Sequence, residues 1–247
     1  MALWCRDLPV VTVPRRETPK GVTLVLPYYD NAVFFATQLG RWATYPHELA
    51  THLSIVVVDD GSPVPAVGPS VFPCPPAIRL FRIEIDVRWN WLAARNIGAH
   101  HADDGWLLLT DMDHVLPEAT LRAIIFGQHD PRMIYAFSRR EHTGDPIAPH
   151  SASFLMTREL FWTIGGYDEA LAGYYGTDGE FRRRCAPRAP MRILTDELIR
   201  YEYVGDSSTT RYQRKQPIDA KVKAIIAARR PGWTPRVLSV PYHEVAA

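Results

Sequence analysis

Two acidic residues, Asp111 and Asp113, stand one residue apart directly after the apolar run 105–110. In an extended chain alternate side chains point the same way, so both carboxylates can face one ligand. Carboxylate oxygens suit Mg²⁺ or Mn²⁺, ions that also hold phosphate oxygens. The pair can also be a polar turn that ends a strand. The run before it is so apolar, however, that two carboxylates at its mouth require a partner or water. The pattern therefore favours a metal site.

The segments ahead of these acids alternate between strand and helix patterns. Residues 22–26 form a β-branched and aliphatic run that stops at Pro27, and residues 54–58 form a second one that ends in Asp59-Asp60-Gly61-Ser62. Between them, residues 32–42 have helical spacing. The side chains expected to share the buried surface of that helix are Val33, Phe34, Leu39 and Trp42. Strand, helix and strand in this order predict a parallel sheet with a ligand crevice beyond its carboxyl ends.

Further along, the chain continues the same alternation. The proline-rich stretch 63–76 is predicted to be an irregular connection. Residues 79–85 alternate like a strand, 91–101 are helical, 105–110 form a buried strand, and Pro117 with Glu118 opens a helix that ends near 126. Three strands thus deliver polar loops to one edge of the sheet.

Composition limits the class of protein. The 247 residues are 47% hydrophobic and 22% charged, which excludes a disordered chain, and no apolar run approaches the roughly 20 residues of a membrane span. The N-terminus does not resemble a secretory signal. Three scattered cysteines, Cys5, Cys74 and Cys185, fit reduced thiols better than disulfides or a zinc site. We expect a cytoplasmic protein without a transmembrane segment.

Charge is divided unevenly along the chain. Residues 1–181 carry 14 basic and 21 acidic side chains, whereas residues 182–236 carry 14 basic and 5 acidic ones. A cationic C-terminal third suits an anionic partner such as a pyrophosphate, a nucleic acid or a phospholipid head group. A solvated basic face explains the same composition.

Five motifs, in order, resemble those of GT-A-fold, family 2-like glycosyltransferases, with features of the galactosyltransferase-like branch. They are L-P-Y-Y-D at 26–30, V-V-D-D-G-S at 57–62, W-N-W-L-A-A-R-N-I-G at 89–98, L-T-D-M-D at 109–113 and G-G-Y-D-E…Y-G-T-D-G-E-F at 165–181. The resemblance covers residues 20–205. It implies an α/β GT-A fold with a Rossmann-like mixed central sheet flanked by helices. We expect an extension at 1–20, a domain at 21–205 (a nucleotide-sugar half to about 115, then an acceptor half) and a basic C-terminal extension, 206–247, packed on it.

The resemblance also implies a donor site for a UDP-sugar. Tyr29, with Pro27 beside it, would lie near the nucleobase, and Asp60 would hydrogen-bond its imide edge. Asn90 and Arg95 occupy positions where the family has donor-facing or helix-anchoring side chains, and Arg95 suits a structural ion pair equally well. Tyr29 and Asp60 also fit ordinary turn chemistry.

A metal ion, Mn²⁺ or Mg²⁺, is implied at the acidic pair. Asp113 would be its principal ligand, with Asp111 nearer the ribose or the water shell of the ion. The family often adds a late histidine, but residues 200–208 contain none. Asp206 or water would then complete the octahedron. Three histidines elsewhere can also approach the site, namely His114, His142 and His150.

The base of an inverting transfer is implied at Asp178. The family usually has glutamate just before it, where this chain has Thr177. Asp178 could instead be only the N-cap of a helix over 179–185. Glu180 is a helix-start acid, a group near the metal or a less favoured base. The remaining residues expected around the acceptor and sugar are Gly166 in a tight turn and Tyr174 and Tyr175 as stacking aromatics.

The sequence thus predicts a metal-dependent inverting enzyme that moves a hexose from a UDP-sugar to an acceptor hydroxyl. The acceptor is either a saccharide or hydroxymethylated DNA, on whose bases Tyr201, Tyr203 or Tyr212 could stack. The alternative is a non-catalytic nucleotide-sugar or nucleic-acid binding module on the same scaffold. Dehydrogenase, P-loop kinase and serine hydrolase motifs are absent from the sequence.

Overall fold

The computed structural model describes residues 21–68, 76–174, 176–201 and 220–245. The expected extension 1–20 and several residues singled out above lie outside these ranges: Cys5, Cys74, Tyr175, Tyr203, Asp206 and Tyr212. Cys185 is a buried free thiol. Burial raises the pKa of this thiol to about 12, so it is not a reactive nucleophile.

Ten described strands form one mixed sheet. They are β1 (Val22–Tyr28), β2 (Leu53–Asp59), β3 (Ala77–Ile83), β4 (Trp106–Leu109), β5 (His114–Val115), β6 (Ile134–Glu141), β7 (Pro146–Ile147), β8 (Phe154–Thr157), β9 (Met191–Arg200) and β10 (Tyr242–Glu244). Their order is β10-β3-β2-β1-β4-β8-β6-β9-β5, and β7 pairs with β6. Strands β3, β2, β1 and β4 are parallel neighbours, as predicted, so their carboxyl ends share one edge. Strand β8 runs antiparallel to both β4 and β6, which makes the sheet mixed.

Helices cover both faces of this sheet. They are α1 (Ala32–Trp42), α2 (His47–Ala50), α3 (Trp91–His101), α4 (Glu118–Phe126), α5 (Arg158–Ile164), α6 (Asp178–Cys185) and α7 (Ala220–Ala227). The predicted bounds of α1 and α3 are confirmed. In the described ranges the longest helices have 11 residues, and none combines the length and hydropathy that crossing a bilayer requires.

The buried face of α1 differs from the prediction. Phe35, Gln38 and Trp42 are buried, whereas Val33 is 73% exposed. The side chain of Asn31 caps the helix by accepting from the Phe34 amide (3.2 Å). Of the four predicted residues, Trp42 is buried, Phe34 and Leu39 are partly buried against the same core, and only Val33 was wrong.

Strand β1 continues past Pro27, contrary to the prediction that it stops there. Pro27 lies opposite Val58 of β2, and the pairing extends to Tyr28. The pairing with β4 ends earlier, at Val25. Proline is tolerated at this point because β1 has a neighbour on one side only, so no ladder donor is lost there.

Both faces of β1 and β2 are buried, which explains their uninterrupted apolar sequence. Leu24 packs on the α1 side with Phe35 and Trp42, while Val25 packs on the other side under α3. A Cβ at Gly98 would lie 2.3 Å from a methyl carbon of Val25. Glycine is therefore required for α3 to approach the sheet so closely.

The C-terminal segment packs against the rest of the fold. Val222 of α7 is buried in a core cluster with residues of α5 and α6. Strand β10 adds an antiparallel edge to β3, with Tyr242 opposite Ile83. Residues 220–245 are therefore part of the same packed unit.

Candidate active site

A buried polar pair lies where β2 ends and α3 begins. Asp60 is 5% exposed and Asn90 is 1% exposed. The Asn90 amide N–H donates to Asp60 Oδ2 (3.0 Å), but Asp60 Oδ1 and both polar atoms of the Asn90 side chain have no partner in the described chain. Burial, with Asp59 and Asp86 nearby, raises the pKa of Asp60 well above its usual value despite the Asn90 hydrogen bond. Unpaired buried polar atoms are rare and mark a place for a ligand or water.

The neighbouring acid, Asp59, is occupied in a different way. It accepts hydrogen bonds from the Ser62 amide (2.8 Å) and the Ala66 amide (2.9 Å), and it forms an ion pair with Arg82 (2.6 Å). Asp59 therefore holds the loop that follows β2. Of the two adjacent acids, Asp60 is the one with an oxygen left to bind a ligand.

Tyr29 and Pro27 lie at the same edge of the sheet. Both are partly exposed, and the Tyr29 hydroxyl is 3.3 Å from a carboxylate oxygen of Asp86. The structure thus brings Pro27, Tyr29, Asp60 and Asn90 to the carboxyl ends of β1 and β2.

Asp111 follows β4 and faces a buried arginine. Arg95 is fully buried, and its Nη2 lies 2.5 Å from Asp111 Oδ1. Its Nη1 donates to the Ala152 carbonyl and lies 3.2 Å from the Tyr167 hydroxyl. Burial raises the pKa of Asp111, but the opposing effect of Arg95, His150 and His114 is larger and brings this pKa down to about 2. Because its guanidinium is enclosed, Arg95 fits the structural ion-pair alternative better than a donor contact.

Two histidines join Asp111. Each of Asp111, His114 and His150 offers one ligand atom, and these atoms lie within 4.8 Å of one another. His150 Nε2 is 3.3 Å from Asp111 Oδ2, and its Nδ1 is 2.8 Å from Ser153 Oγ. Burial lowers the pKa of His150 to about 4, so the imidazole is neutral at pH 7. His142 lies apart, stacked on Tyr201.

Asp113 lies beside His114 on the same turn. Asp113 Oδ1 is 2.8 Å from His114 Nδ1, but neither atom makes a hydrogen bond within the described residues. On its other side, His114 Nε2 is 3.0 Å from Arg139 Nη1. The carboxylate of Asp113 is 37% exposed. Asp111 and Asp113 therefore both reach this turn, although the three-residue cluster contains Asp111 and not Asp113.

The side chain of Gln38 in α1 binds the backbone of the turn that carries Asp111 and Asp113. Its Nε2 donates to the backbone carbonyls of Met112 (3.0 Å) and His114 (2.8 Å). Gln38 was not among the predicted site residues. A glutamine on the i, i+3, i+7 stripe with Phe35 and Trp42 was the available signal, since a buried amide must find partners.

The segment 165–173 is tied to α3 and to the residues just before that helix by hydrogen bonds and close packing. Asn96 of α3 bonds the amide and carbonyl of Tyr167 (both 2.8 Å), and a Cβ at Gly166 would lie 2.8 Å from Asn96 Oδ1. Gly166 also has a φ of +64°, so its predicted role in a tight turn fits. The Gly173 amide donates to the Trp89 carbonyl, next to Asn90. The loop before α6 therefore lies beside the donor half.

Asp178 is the first residue of α6 rather than its cap. The capping position is Thr177, which makes no side-chain capping bond. Asp178 is partly exposed and forms no hydrogen bond or ion pair with the described residues. Glu180, in contrast, is buried and accepts from Arg184 (2.9 Å) and Arg229 (2.5 Å), so it is a structural group. Tyr174 packs, half-buried, on a core cluster.

The comparison with protein families identifies the chain. The family model described as "Glycosyl transferase family 2" matches residues 47–181, more than half of the sequence. The chain belongs to glycosyl transferase family 2. The family expected from the motifs is thus confirmed, while the galactosyltransferase-like branch remains a prediction. No curated protein matches the chain significantly.

Solved structures share the fold. TarS of S. aureus in complex with UDP-GlcNAc is similar with a TM-score of 0.61 at 15% identity, over 78% of this chain and 62% of that one. The mannosyltransferase PcManGT from Pyrobaculum calidifontis, in complex with GDP-Man and Mn²⁺, has a TM-score of 0.55 at 19% identity, over 74% of this chain and 56% of that one. The chain thus spans about 60% of the length of these structures. They confirm the expected GT-A fold with its mixed sheet.

Proposed function

We propose that the protein is a metal-dependent inverting glycosyltransferase that moves a hexose from a UDP-sugar to an acceptor hydroxyl. The observation that carries the proposal is that Asp60 Oδ1 and the Asn90 side chain, both buried at the strand edge that also bears Asp111, have no partner among the described residues. Family membership supports sugar transfer. The complexes of TarS with UDP-GlcNAc and of PcManGT with GDP-Man and Mn²⁺ support the class of donor.

Uracil fits the free carboxylate oxygen. Asp60 Oδ2 is engaged by the Asn90 amide, so Oδ1 is the oxygen left for a base. The imide edge of uracil offers one N–H, whereas guanine offers two donors side by side on its Watson–Crick edge. One free acceptor matches one donor, and this favours UDP over GDP. Tyr29, at the same edge, would then lie against the base, with Pro27 beneath it.

The acidic turn suits a divalent cation. Asp111 is ionised and His150 is neutral at pH 7, the forms that metal ligands need. Asp113 Oδ1 makes no hydrogen bond with the described residues, so this carboxylate oxygen is available to an ion. Asp111 and Asp113 with His150 would hold the ion, and imidazole nitrogen favours Mn²⁺ over Mg²⁺. The bound ion would neutralise charge that builds on the UDP leaving group.

Asp178 would act as the base. An inverting transfer needs a carboxylate on the acceptor side to take the proton of the attacking hydroxyl. Asp178 fits because it has no partner in the described chain, is partly exposed and is not needed as the cap of α6.

A saccharide acceptor is favoured over DNA. Arg184 and Arg229 of the basic region are held by buried Glu180, and Arg229 also by Asp168. Their charge is therefore neutralised inside the protein. The ring of Tyr201 is covered by His142 and by the Arg41 guanidinium (4.8 Å), so it is not available to stack on a base.

A donor screen with two variants tests the proposal. UDP-sugars are tested for Mn²⁺-dependent thermal shifts, and transfer is then measured with saccharides and with hydroxymethylated or ordinary DNA. Asp113→Asn should lose Mn²⁺-dependent donor binding, and Asp178→Asn should retain it but lose transfer. Asp111 is the poorer probe, because its loss leaves Arg95 buried without a counter-charge. Transfer at wild-type rates by either variant would refute the proposal, and donor binding without any turnover would indicate a binding module.

A further inference from the structure

One arginine from the C-terminal segment bridges the two ends of the acceptor loop. Arg229 Nη1 lies 2.5 Å from Glu180 Oε1, and Arg229 Nη2 lies 2.6 Å from Asp168 Oδ2. Asp168 begins the loop and Glu180 lies in the first turn of α6 just beyond it. The loop between them leads into Asp178. Both carboxylates are buried, and the side chain of Arg229 is 14% exposed.

The bridge depends on the shape of guanidinium. Its two terminal nitrogens reach two different carboxylates at once, and its face lies 3.6 Å over the ring of Trp233. A lysine ammonium is a single point charge that cannot reproduce this fork or the stacking. Arg184 makes a separate fork to Glu180, with distances of 2.9 Å from Nε and Nη2, so Glu180 keeps one counter-charge without Arg229.

The backbone of the same segment adds further contacts to the start of the loop. Asp168 Oδ1 accepts from the Arg236 amide (3.1 Å). Glu169 accepts from the Leu238 amide (2.7 Å) and from the amide and hydroxyl of Ser239 (2.8 and 2.6 Å). The two acids of the G-G-Y-D-E motif are therefore bound by residues outside the family-matched range 47–181, in addition to the Asn96 side chain and the Ala170 amide within it.

We propose that Arg229 is a positioning residue, which fixes the loop and the start of α6 so that Asp178 is held against the donor half. This inference rests on the proposed function of Asp178. Arg229 does not contact the reacting groups, and it acts by holding Asp168 and Glu180 at a fixed separation. It thereby makes the C-terminal segment a required part of the catalytic unit.

The test compares Arg229→Lys with Arg230→Lys. Arg230 is the adjacent arginine, is exposed and forms no side-chain ion pair with the described residues. For Arg229→Lys we expect kcat to fall about 10- to 100-fold, with the donor KM within about twofold of wild type, because a misplaced base slows transfer but leaves donor binding intact. Arg230→Lys should leave both parameters unchanged. Equal kcat in wild type and Arg229→Lys would overturn the inference, as would a loss confined to KM.

Hydrogen exchange separates this inference from the proposed function. Amides of residues 169–180 should exchange faster in Arg229→Lys than in wild type or Arg230→Lys, whether or not the protein turns over any UDP-sugar. If the wild-type protein transfers no sugar but exchange is faster in Arg229→Lys, the proposed function alone is refuted. If exchange is the same in both proteins, the positioning role of Arg229 is refuted. Asp168→Asn is the second variant, which removes one carboxylate from the fork and should give the same pattern if Arg229→Lys does not fold.

Discussion

Replacing Asp60 by asparagine should reverse the hydrogen-bonding character of the proposed base site. The backbone N–H of Asn90 donates to one carboxylate oxygen of Asp60. An asparagine at position 60 would therefore turn its side-chain oxygen toward that N–H. Its NH₂ group would then occupy the position of the free Oδ1. A uracil N–H would meet a donor instead of an acceptor, while the N3 atom of cytosine, an acceptor, would meet its complement.

The sizes of the expected effects follow from the burial of Asp60. A hydrogen bond to a charged group contributes about 1.5 to 3 kcal/mol, so UDP affinity should fall about 10- to 150-fold. The free protein should become more stable, because burial raises the pKa of Asp60 above its ordinary value of 3.8 and its ionisation therefore costs stability. The gain should be largest at neutral pH and should vanish as the pH falls below 3.8, where the residue is protonated in the folded and unfolded chain alike.

Two measurements check this reasoning. Calorimetric titration with UDP and CDP should show the UDP-to-CDP affinity ratio falling in Asp60→Asn, while thermal unfolding from pH 4 to 8 should show a higher Tm near neutrality. Asp59→Asn is the control of opposite sign, since it breaks the ion pair with Arg82 and should lower Tm. Equal losses of UDP and CDP affinity, or a Tm below that of wild type at pH 7, would refute the assignment of Asp60.

Three further variants probe the rest of the site. Asp178→Asn should lower kcat about 10²- to 10⁴-fold, because the proposed base is lost. Its Tm should be almost unchanged, because the carboxylate has no partner in the described chain, and a large loss of Tm would indicate a structural role instead. His150→Asn should weaken Mn²⁺ binding at least about tenfold in titrations without donor, whereas His142→Asn should not; equal effects would exclude His150 as a ligand. Gln38→Leu should cost about 1 to 3 kcal/mol for each of the two buried carbonyls it leaves unpaired, and an unchanged Tm would show that water replaces the amide.

Local patterns were sufficient for the parallel half of the fold. Apolar runs of strand length that alternate with helical spacing determined β1, α1 and β2, and acids directly after a strand located Asp60 and Asp111. The buried face of α1 was predicted only in part, because Val33 is exposed while Phe35 and Gln38, which the helical spacing did not single out, are buried. The passage of Pro27 through β1 was missed because it depends on where the pairing with β4 ends, which no local pattern records.

Long-range contacts decided the parts that the sequence left open. The motifs did not indicate which of His114, His142 and His150 lies near the metal site. His150 lies there because the chain between β7 and β8 brings its ring next to Asp111. Arg229 pairs with residues 49 and 61 positions earlier, so no spacing rule could find it. The basic composition of its region fitted either an external anion or a solvated face, whereas Arg229 itself is neutralised within the fold by Glu180 and Asp168.

The acids of the motifs share one physical logic. Asp59 and Glu180 are buried and saturated by arginine, and such charges are kept because removing either partner is costly. Asp60 has an unpartnered oxygen, and Asp178 has no partner at all in the described chain. A saturated carboxylate cannot accept a proton or a base edge without breaking its ion pair, whereas an unsaturated one is free to bind. Asp113 also has an oxygen without a hydrogen bond among the described residues. In the proposed reaction, Asp60 and Asp113 would bind the donor and its metal ion, while Asp178 would take the proton of the acceptor.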